Sequence, residues 1–447
     1  MVPRVERAAV GPGSGTTTAG CDCAKTGIIR LVRAEPIRIG LVGAGRILPA
    51  HLRGYQLVRQ AGIDNFRITA ITSRTRRDAE SFVTRDAGPS PRPPVSSQPS
   101  DPLSVDDVFI SDLQSDVDAE VYDSLEDMLE ADAVDALDIS ATLHVHHTAA
   151  LKGINAGKHC LVQKPLAISV AAGRAIVEAA RQRGVALGVM ENLRFAQGAR
   201  VARWLIDQGY LGQVQMIARW GIGTLEWSPD LVVAETPWRH QKLFAGGGAS
   251  LDIGVHLLHE LRYLAGPIDK VSGVTRIFEP TRVLSPTGER VACDVDDAFF
   301  ATVTFASGAV GQLTFTWAGH GSPTSLPDGR VIYGTRGCLK GDTLVLDDGS
   351  THSATALFNS QADPQTRAAF FPYGLTDSFA LAYVDFLSAI DGEREPEVSG
   401  TEGLFDLSAA FAICESATLG RSVSIDEVLD GSVAAYQAEI DRHYGLM

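Results

Sequence analysis

The sequence is short of the features that mark exported or membrane-spanning proteins. It has six cysteines in 447 residues, too few and too scattered for a disulfide framework, and we expect most of them to be small buried side chains. No stretch reaches the roughly 18 apolar residues that a membrane helix needs, and the N-terminus lacks a continuous apolar region. We therefore expect a protein that is neither exported nor anchored in a membrane. The cysteines are Cys21, Cys23, Cys160, Cys293, Cys338 and Cys414.

Positive charge is also scarce. The chain has 39 Lys and Arg against 54 Asp and Glu, which gives a formal charge of −15 at pH 7, and no basic patch stands out. Nucleic acids and anionic membranes bind basic surfaces, so we expect neither as a partner. With 45% hydrophobic and 21% charged residues, the composition is that of a cytoplasmic enzyme with two or three domains.

Two stretches lack the periodicity of core elements. Residues 1–34 are rich in Gly, Thr, Ala and Arg, and we expect them to form a flexible extension. A zinc site on Cys21 and Cys23 would need a second pair of ligands, which is not nearby. A Pro- and Ser-rich piece followed by an acidic stretch, over about 86–120, predicts a surface insertion or long loop.

The run Ile-Arg-Ile-Gly-Leu-Val-Gly-Ala-Gly at 37–45 predicts a strand that leads into a glycine turn. Gly43 permits the tight turn, and Gly45 lets the backbone approach a pyrophosphate. A helix opening at about Arg46 and Ile47 would offer free N–H groups to phosphates. The third small residue of the full fingerprint is a leucine here, so the helix should lie slightly further from the strand. An ordinary structural turn is the alternative.

The end of the next apolar run, 66–72, bears on the cofactor. A dinucleotide-binding fold places its ribose-contacting residue there, and an acid at that point would bind the ribose diol and repel a 2′-phosphate. This chain has Ser73 and Arg74, with Arg76 and Arg77 close behind. A hydroxyl followed by guanidinium groups suits a 2′-phosphate, which favours NADP over NAD. Alternatively, these arginines only solvate the start of a helix.

The pattern of strands and helices predicts an α/β protein with a Rossmann domain followed by an α+β domain. Alternating strands and helices over 35–188 indicate a doubly wound parallel sheet with helices on both faces, the Rossmann type. Mostly antiparallel strands with few helices over 189–447 indicate an α+β domain on one large open sheet. The closing helices, at about 376–425, are expected to pack back on the first domain. The strands predicted in the second domain are 214–220, 271–278, 298–305, 310–317 and 330–334, with a helix at 248–265.

Two motifs resemble one enzyme family. AGKHCLVQKPLA at 156–167 looks like the AGKHV-x-x-EKPLA signature of the glucose–fructose oxidoreductase and inositol dehydrogenase (Gfo/Idh/MocA) family. GGGASLDIGVHLLHELRYLAG at 246–266 is similar to the family's glycine-rich segment followed by D-x-G-x-H. The resemblance covers about 36–425. The family's usual Glu is Gln163 here, which removes a negative charge beside Lys164 and should alter the protonation or the anchoring of that lysine.

The resemblance implies that Lys164, Asp252 and His256 face a nicotinamide ring. On a helix, Asp252 and His256 would share one face. We expect His256 to be the general base in oxidation, Lys164 to hold the reacting oxygen, and Asp252 to orient the substrate or the imidazole. Which of Lys164 and His256 passes the proton stays open. Two alternatives are a purely structural helix and a metal site with His259 and Glu260, although no H-E-x-x-H pattern is present.

Further contacts are predicted from segments similar to the family's. Gln163 and Lys164 should border the cofactor at the end of their strand. His146, in a loop that follows a strand, is expected to border the nicotinamide ribose unless it is only a solvated loop histidine. Arg194, in a segment similar to N-x-R-F, is expected to contact the substrate. Trp238 and Arg239 look like the family's W-R dipeptide and suit sugar contacts, although Trp238 suits core packing equally well.

The resemblance implies an NAD(P)-dependent oxidoreductase that transfers hydride between a nicotinamide cofactor and a secondary hydroxyl of a sugar, glycoside or cyclitol. It also implies a homodimer or homotetramer that forms through the C-terminal sheet. One alternative is a lyase or glycosidase that oxidises transiently and returns the hydride. Another is a regulatory protein that binds nucleotide without turnover; intact Lys164, Asp252 and His256 argue against it, and Gln163 leaves it open.

Overall fold

The computed structural model describes residues 35–91, 104–224, 237–283 and 287–446. The predicted extension at 1–34, with Cys21 and Cys23, lies outside these residues. The four cysteines within them are free thiols, of which Cys160 and Cys414 are buried and Cys293 and Cys338 are partly exposed.

The first half of the described chain forms one parallel sheet, as predicted. Six strands lie in the order β3-β2-β1-β4-β5-β6. Since β4 is buried throughout and β1 almost throughout, helices must cover both faces of the sheet. The strands are β1 (Ile37–Val42), β2 (Phe66–Thr72), β3 (Glu120–Tyr122), β4 (Ala136–Ile139), β5 (His159–Gln163) and β6 (Leu187–Met190), and the helices are α1 (Leu48–Gln60), α2 (Arg76–Glu80), α3 (Leu125–Glu130), α4 (Leu143–Asn155) and α5 (Val170–Arg183).

The glycine turn after β1 has a steric reason at Gly43. Its φ is +109°, and a Cβ there would lie 2.7 Å from the backbone nitrogen of Ala141, so only glycine fits. The helix that follows begins at Leu48, two residues later than the predicted opening at Arg46. Leu48 is fully buried, and Pro49 stands in the first turn, where its missing N–H costs nothing.

The predicted domain boundary after Gly188 is wrong by two residues. Val189 and Met190 belong to β6, which pairs in parallel with β5 through Gln163 and Met190. They therefore complete the first sheet instead of starting the second. A short, fully apolar strand reads the same in either sheet, because hydrophobicity alone does not encode strand direction.

The predicted insertion at 86–120 is only partly a surface loop. Its apolar side chains at 108–113 are buried. The side chain of Gln114 also bonds to both the N–H and the carbonyl of Ile68, at 2.9 and 2.8 Å, and so extends the pairing of β2. Residues 92–103, which hold most of the Pro- and Ser-rich piece, lie outside the described residues.

The second half of the described chain forms a large and mostly antiparallel sheet, as predicted. Nine strands lie in the order β16-β15-β14-β13-β7-β12-β11-β8-β17, and β7 and β12 are the parallel pair. The strands of this half, with the separate pair β9 and β10, are β7 (Val214–Thr224), β8 (Ile268–Arg276), β9 (Thr281–Val283), β10 (Arg290–Ala292), β11 (Ala298–Phe305), β12 (Val310–Gly319), β13 (Thr324–Gly334), β14 (Gly337–Lys340), β15 (Thr343–Leu346), β16 (Thr351–Ser353) and β17 (Val423–Ser424).

The closing helices join the two sheets. The helices of this half are α6 (Gln197–Asp207), α7 (Lys242–Ala245), α8 (Ala249–Asp252), α9 (Gly254–Ala265), α10 (Ala354–Gln361), α11 (Pro364–Phe370), α12 (Ser378–Asp391), α13 (Gly400–Leu419), α14 (Ile425–Leu429) and α15 (Ala438–Tyr444). Helix α12 packs on α1, where a Cβ on Gly54 would lie 2.9 Å from the ring of Tyr383. Helix α13 packs on both α5 and β8. Helices α12 and α13 therefore connect the elements on either side of the cleft between the two sheets.

Candidate active site

Lys164 stands at the carboxyl end of β5, the edge of a parallel sheet where ligands bind. Its side chain is 14% exposed. The ammonium donates to the carbonyl of Asp252 at 2.7 Å and to Oδ1 of Asp252 at 2.9 Å. The structure thus brings together two of the three predicted catalytic residues, one at the end of β5 and one at the end of the short helix α8.

Asp252 is the last residue of the short helix α8, which a buried carboxylate fixes in place. Asp296 accepts hydrogen bonds from the N–H groups of Gly248 and Ser250 and from the Ser250 hydroxyl, at 2.8–3.0 Å. Burial raises the pKa of Asp296 to about 6 despite these donors. The helix predicted at 248–265 is in fact two helices that meet at Ile253, so Asp252 and His256 converge without sharing one continuous helix.

The carboxylate of Asp252 is held between two cations. Besides Lys164, it pairs with Arg239, whose guanidinium contacts Oδ2 and lies 4.9 Å from the ring centre of Trp238. Burial opposes ionisation of Asp252, but Arg239 and Lys164 outweigh it and hold the pKa of Asp252 far below its ordinary value. The carboxylate is therefore ionised at every working pH, and it fixes the direction of both cations.

His256 is paired with a carboxylate that the sequence analysis did not single out. Its Nδ1 lies 2.6 Å from Oε1 of Glu191, which also accepts from the N–H of Leu193 at 3.1 Å. Burial opposes ionisation of Glu191, but the charge of His256 lowers its pKa. Because Glu191 occupies Nδ1, Nε2 is the nitrogen left to meet a substrate. The available signal was the position of Glu191, directly after β6 at the carboxyl edge of the sheet.

His146 was predicted to lie in a loop, but it lies in the first turn of α4. It is 1% exposed, with Nδ1 2.9 Å from the carbonyl of Pro165 and Nε2 3.0 Å from the carbonyl of Ala141. Burial lowers its pKa to about 4. The helix begins at Leu143 because Thr142 supplies the extended backbone that starts it. In this position His146 supports the segment that follows Lys164.

Arg194 lies in an ion-pair network with α13. Its guanidinium donates to Oε2 of Glu402 at 2.8 Å and stacks over the ring of Tyr263 at 4.3 Å. The side chain is 12% exposed. These contacts give Arg194 a packing role between the cleft and α13, and the structure does not pair it with Lys164 or Asp252.

The glycine turn fits a dinucleotide. The hydroxyl of Ser73 accepts from the N–H of Ala44 at 3.2 Å, and the hydroxyl of Ser140 donates to the carbonyl of Gly43 at 3.2 Å. These bonds fix the turn from the ends of β2 and β4. A Cβ built on Gly45 meets nothing within 4 Å, so open space lies at the position where a pyrophosphate would approach. Arg74 lies on the exposed side of the same edge.

Comparison with known protein families agrees with this geometry. Residues 37–191 match the model described as an oxidoreductase family with an NAD-binding Rossmann fold, and residues 199–340 match the model of the Gfo/Idh/MocA C-terminal domain. Together the two models cover more than half of the chain. The protein belongs to the Gfo/Idh/MocA oxidoreductase family.

Relatives within the Gfo/Idh/MocA family include enzymes of sugar and cyclitol metabolism. The chain is 29% identical over 303 residues to 1,5-anhydro-D-fructose reductase of Ensifer adhaerens, covering 68% of this chain and 83% of that one. It is 24% identical over 311 residues to myo-inositol 2-dehydrogenase of Thermotoga maritima, covering 69% and 85%. A solved structure of levoglucosan dehydrogenase with NADH and L-sorbose superimposes with a TM-score of 0.65 at 22% identity, covering 88% of this chain and 99% of that one.

The residues of the metal alternative have other partners in this Gfo/Idh/MocA protein. Asp252 pairs with Lys164 and Arg239, His259 with Asp406 at 2.6 Å, and Glu260 with Arg330. Within the described ranges, no group of three or more His, Cys, Asp or Glu side chains is arranged to hold a metal ion. In the same ranges, no helix is both long and apolar enough to cross a membrane.

Proposed function

We propose that this protein is an NAD(P)-dependent dehydrogenase that transfers hydride between the nicotinamide and a secondary hydroxyl of a sugar, glycoside or cyclitol. The observation that carries the proposal is the convergence of Lys164, Asp252 and His256 beside the carboxyl edge of the Rossmann sheet. Family membership and the sugar and cyclitol oxidoreductases among the relatives support it.

The residues that would hold the dinucleotide surround the glycine turn. The segment from Gly43 to Ile47 and the start of α1 would receive the pyrophosphate, and Ser73 and Arg74 would receive the adenosine ribose. Gln163 and Lys164 border the nicotinamide end in this proposal, whereas the buried His146 only supports the segment that follows them. When bound, the nicotinamide accepts or supplies the hydride.

The side chains of the cluster then manage the substrate oxygen and its proton. His256 takes the hydroxyl proton on Nε2 during oxidation, while Glu191 on Nδ1 stabilises the imidazolium that forms. Lys164 donates a hydrogen bond to the same oxygen as its negative charge develops. Asp252 holds the direction of the Lys164 ammonium, and Arg239 with Trp238 offers a charged and an aromatic surface to a sugar.

We further propose that NADP is preferred over NAD. The support is chemical, since Ser73 and Arg74 at the end of β2 present a hydroxyl and a guanidinium where an acid would repel a 2′-phosphate. Arg74→Ala should weaken NADPH binding about tenfold or more and leave NADH binding within about twofold. Fluorescence titration of both reduced cofactors tests this. Equal losses for the two cofactors would overturn the preference.

Assembly through the nine-stranded sheet is also proposed. One face of the sheet carries Met216, Val274, Phe300, Val310 and Tyr333, all between 38% and 54% exposed. Paired positions such as Val310 and Met216 place these side chains side by side. Such a row favours burial against a second copy.

The free thiols of the four described cysteines fit a reducing cytoplasm.

Two measurements test the function. A panel of sugars, glycosides and cyclitols is added with either cofactor, and the absorbance of reduced nicotinamide is followed; its accumulation with one class establishes the dehydrogenase. Product formation with no net change of cofactor would favour a lyase or glycosidase. Gly45→Val should abolish cofactor binding without loss of folding, because its side chain fills the open space beside the turn. If the Gly45→Val variant binds cofactor normally, the cofactor does not bind at this glycine turn.

A further inference from the structure

A buried polar cluster lies behind the cleft, between α1, β4 and α12. His51 and Asp138 are at most 1% exposed. Oδ2 of Asp138 accepts from the hydroxyls of Tyr383 at 2.7 Å and Tyr55 at 3.2 Å, and it lies 3.0 Å from Nδ1 of His51. Burial and the charge of Asp138 raise the pKa of both tyrosines well above the ordinary value, so both hydroxyls remain donors. The proposed reaction uses none of these four side chains.

Gln163 connects this cluster to the active site. Its Nε2 lies 3.0 Å from Nε2 of His51, and its Oε1 accepts from the N–H of Lys164 at 2.7 Å. An amide oxygen only accepts and an amide NH₂ only donates. The bond from Lys164 therefore fixes which end of the amide faces His51. Since that end is a donor, Nε2 of His51 must be the acceptor, and the imidazole proton lies on Nδ1, toward Asp138.

We propose that Gln163 is a positioning residue, which holds the main chain of Lys164 through a link that exists only while His51 is neutral and protonated on Nδ1. The part of this inference that concerns catalysis rests on the proposed function, in which Lys164 meets the reacting oxygen. The part that concerns His51 does not. The link replaces a carboxylate, present in the resembling motif, by an amide of the same shape.

A glutamate at position 163 would need the opposite protonation of His51. A carboxylate cannot donate, so it would face Nε2 of His51 favourably only with a proton there. The imidazole would then be a cation between two carboxylates. The amide link therefore breaks in acid, when His51 gains a second proton, whereas the carboxylate link breaks in base. The described groups that contact His51 are Asp138 on β4, Phe379 and Tyr383 on α12, and Gln163 on β5, and Tyr55 on the same helix as His51 donates to that Asp138.

The protonation of His51 is measured directly by nitrogen NMR of histidine-labelled protein. The His51 signal is assigned by its shift in Tyr383→Phe, which removes one contact at Nδ1. We expect the neutral Nδ1–H form in the natural protein at pH 7.5 and the doubly protonated form in Gln163→Glu. The control is Gln365→Glu, which adds the same charge at an exposed position in the first turn of α11. An identical His51 signal in Gln163→Glu and the control would overturn the proposal.

Kinetics test the positioning of Lys164. Gln163→Leu removes both hydrogen bonds and should lower kcat about tenfold across the pH range, whereas Gln163→Glu should retain activity near neutrality and lose it in base. A leucine variant with the natural kcat and pH profile would show that Gln163 positions nothing. If the natural protein turns over no member of the substrate panel while the NMR result holds, the proposed function fails and the assignment of His51 stands.

Discussion

Two histidines on helix α9, His256 and His259, differ in access and share almost everything else. Each places Nδ1 2.6 Å from a carboxylate oxygen, that of Glu191 for the first and Asp406 for the second. The His256 side chain is 18% exposed and that of His259 is 1% exposed. The carboxylate therefore sets the orientation of an imidazole, but only contact with the cleft gives it a substrate.

The partners of the two carboxylates extend this difference. Asp406 also accepts from the guanidinium of Arg262 at 2.8 and 3.1 Å, and the charges of His259 and Arg262 lower its pKa although burial opposes ionisation. Glu191 has the N–H of Leu193 instead of a second cation. One pair is a closed ionic network that ties α9 to α13. The other is a carboxylate in contact with one accessible imidazole, that of His256, while the charge of His259 also lowers its pKa.

Replacing His256 by Asn should have the largest effect on activity. The amide can still donate to Glu191, so the fold and cofactor binding should be retained, but the imidazole that takes the proton in the proposed reaction is gone. We expect kcat to fall about a thousandfold. Steady-state absorbance of reduced nicotinamide, with a cofactor titration as control, measures both quantities. Normal turnover by this variant would remove the functional distinction between the two histidines.

A third imidazole, that of His146, is buried with no carboxylate partner, so it shows how burial alone makes the free energy of unfolding depend on pH. Because its pKa is lowered to about 4, the unfolded chain takes up a proton between pH 6.5 and 4 while the folded protein does not. The free energy of unfolding should therefore fall by up to about 3 kcal/mol as the pH drops through this window, and be fully present above it. Urea unfolding at several pH values measures the slope. In His146→Gln this part of the slope should vanish, whereas exposed His320→Gln should keep it.

Replacing His259 by Asn should affect stability and spare the chemistry. The variant leaves Asp406 with Arg262 as its cation, so we expect the free energy of unfolding to fall by about 2 kcal/mol and kcat per folded molecule to stay within about twofold. Urea unfolding followed by circular dichroism, with activity normalised to folded protein, separates the two quantities. A large loss of kcat at unchanged stability would place His259 in the catalytic machinery and undo the comparison.

The pattern of neighbouring residues along the chain was sufficient to predict many strands and the glycine turn. The bounds of β11 match the predicted 298–305, because an apolar run and an alternation of apolar and polar residues are properties of neighbouring residues. The glycine turn was also readable, since Gly43 is required by its own backbone conformation. The start of α4 was missed because three histidines within four residues, at 144, 146 and 147, carry no clear helical period.

The contacts that complete the site join distant parts of the chain. Glu191 and His256 are 65 residues apart, and Gln163 and His51 are 112 apart. No local periodicity encodes either pair. Glu191 meets His256 only when α9 packs beside the end of β6, and Gln163 meets His51 only when α1 packs beside the end of β5. The motif resemblance supplied Lys164, Asp252 and His256, but the residues that orient them follow from the tertiary structure.

The charge of Glu191 gives the smallest and sharpest test of the comparison. Glu191→Gln can keep the hydrogen bond to Nδ1 of His256 through its amide oxygen, yet it removes the negative charge that favours the imidazolium. We expect kcat to fall about tenfold and the pH profile of kcat to change, because the charge next to the imidazole is lost. Asp406→Asn is the matched control, since it makes the same change in the partner of His259, which lies one helical turn from His256. It should lower stability and leave the pH profile in place. If both variants shift the profile equally, access to the cleft is not what separates the two histidines.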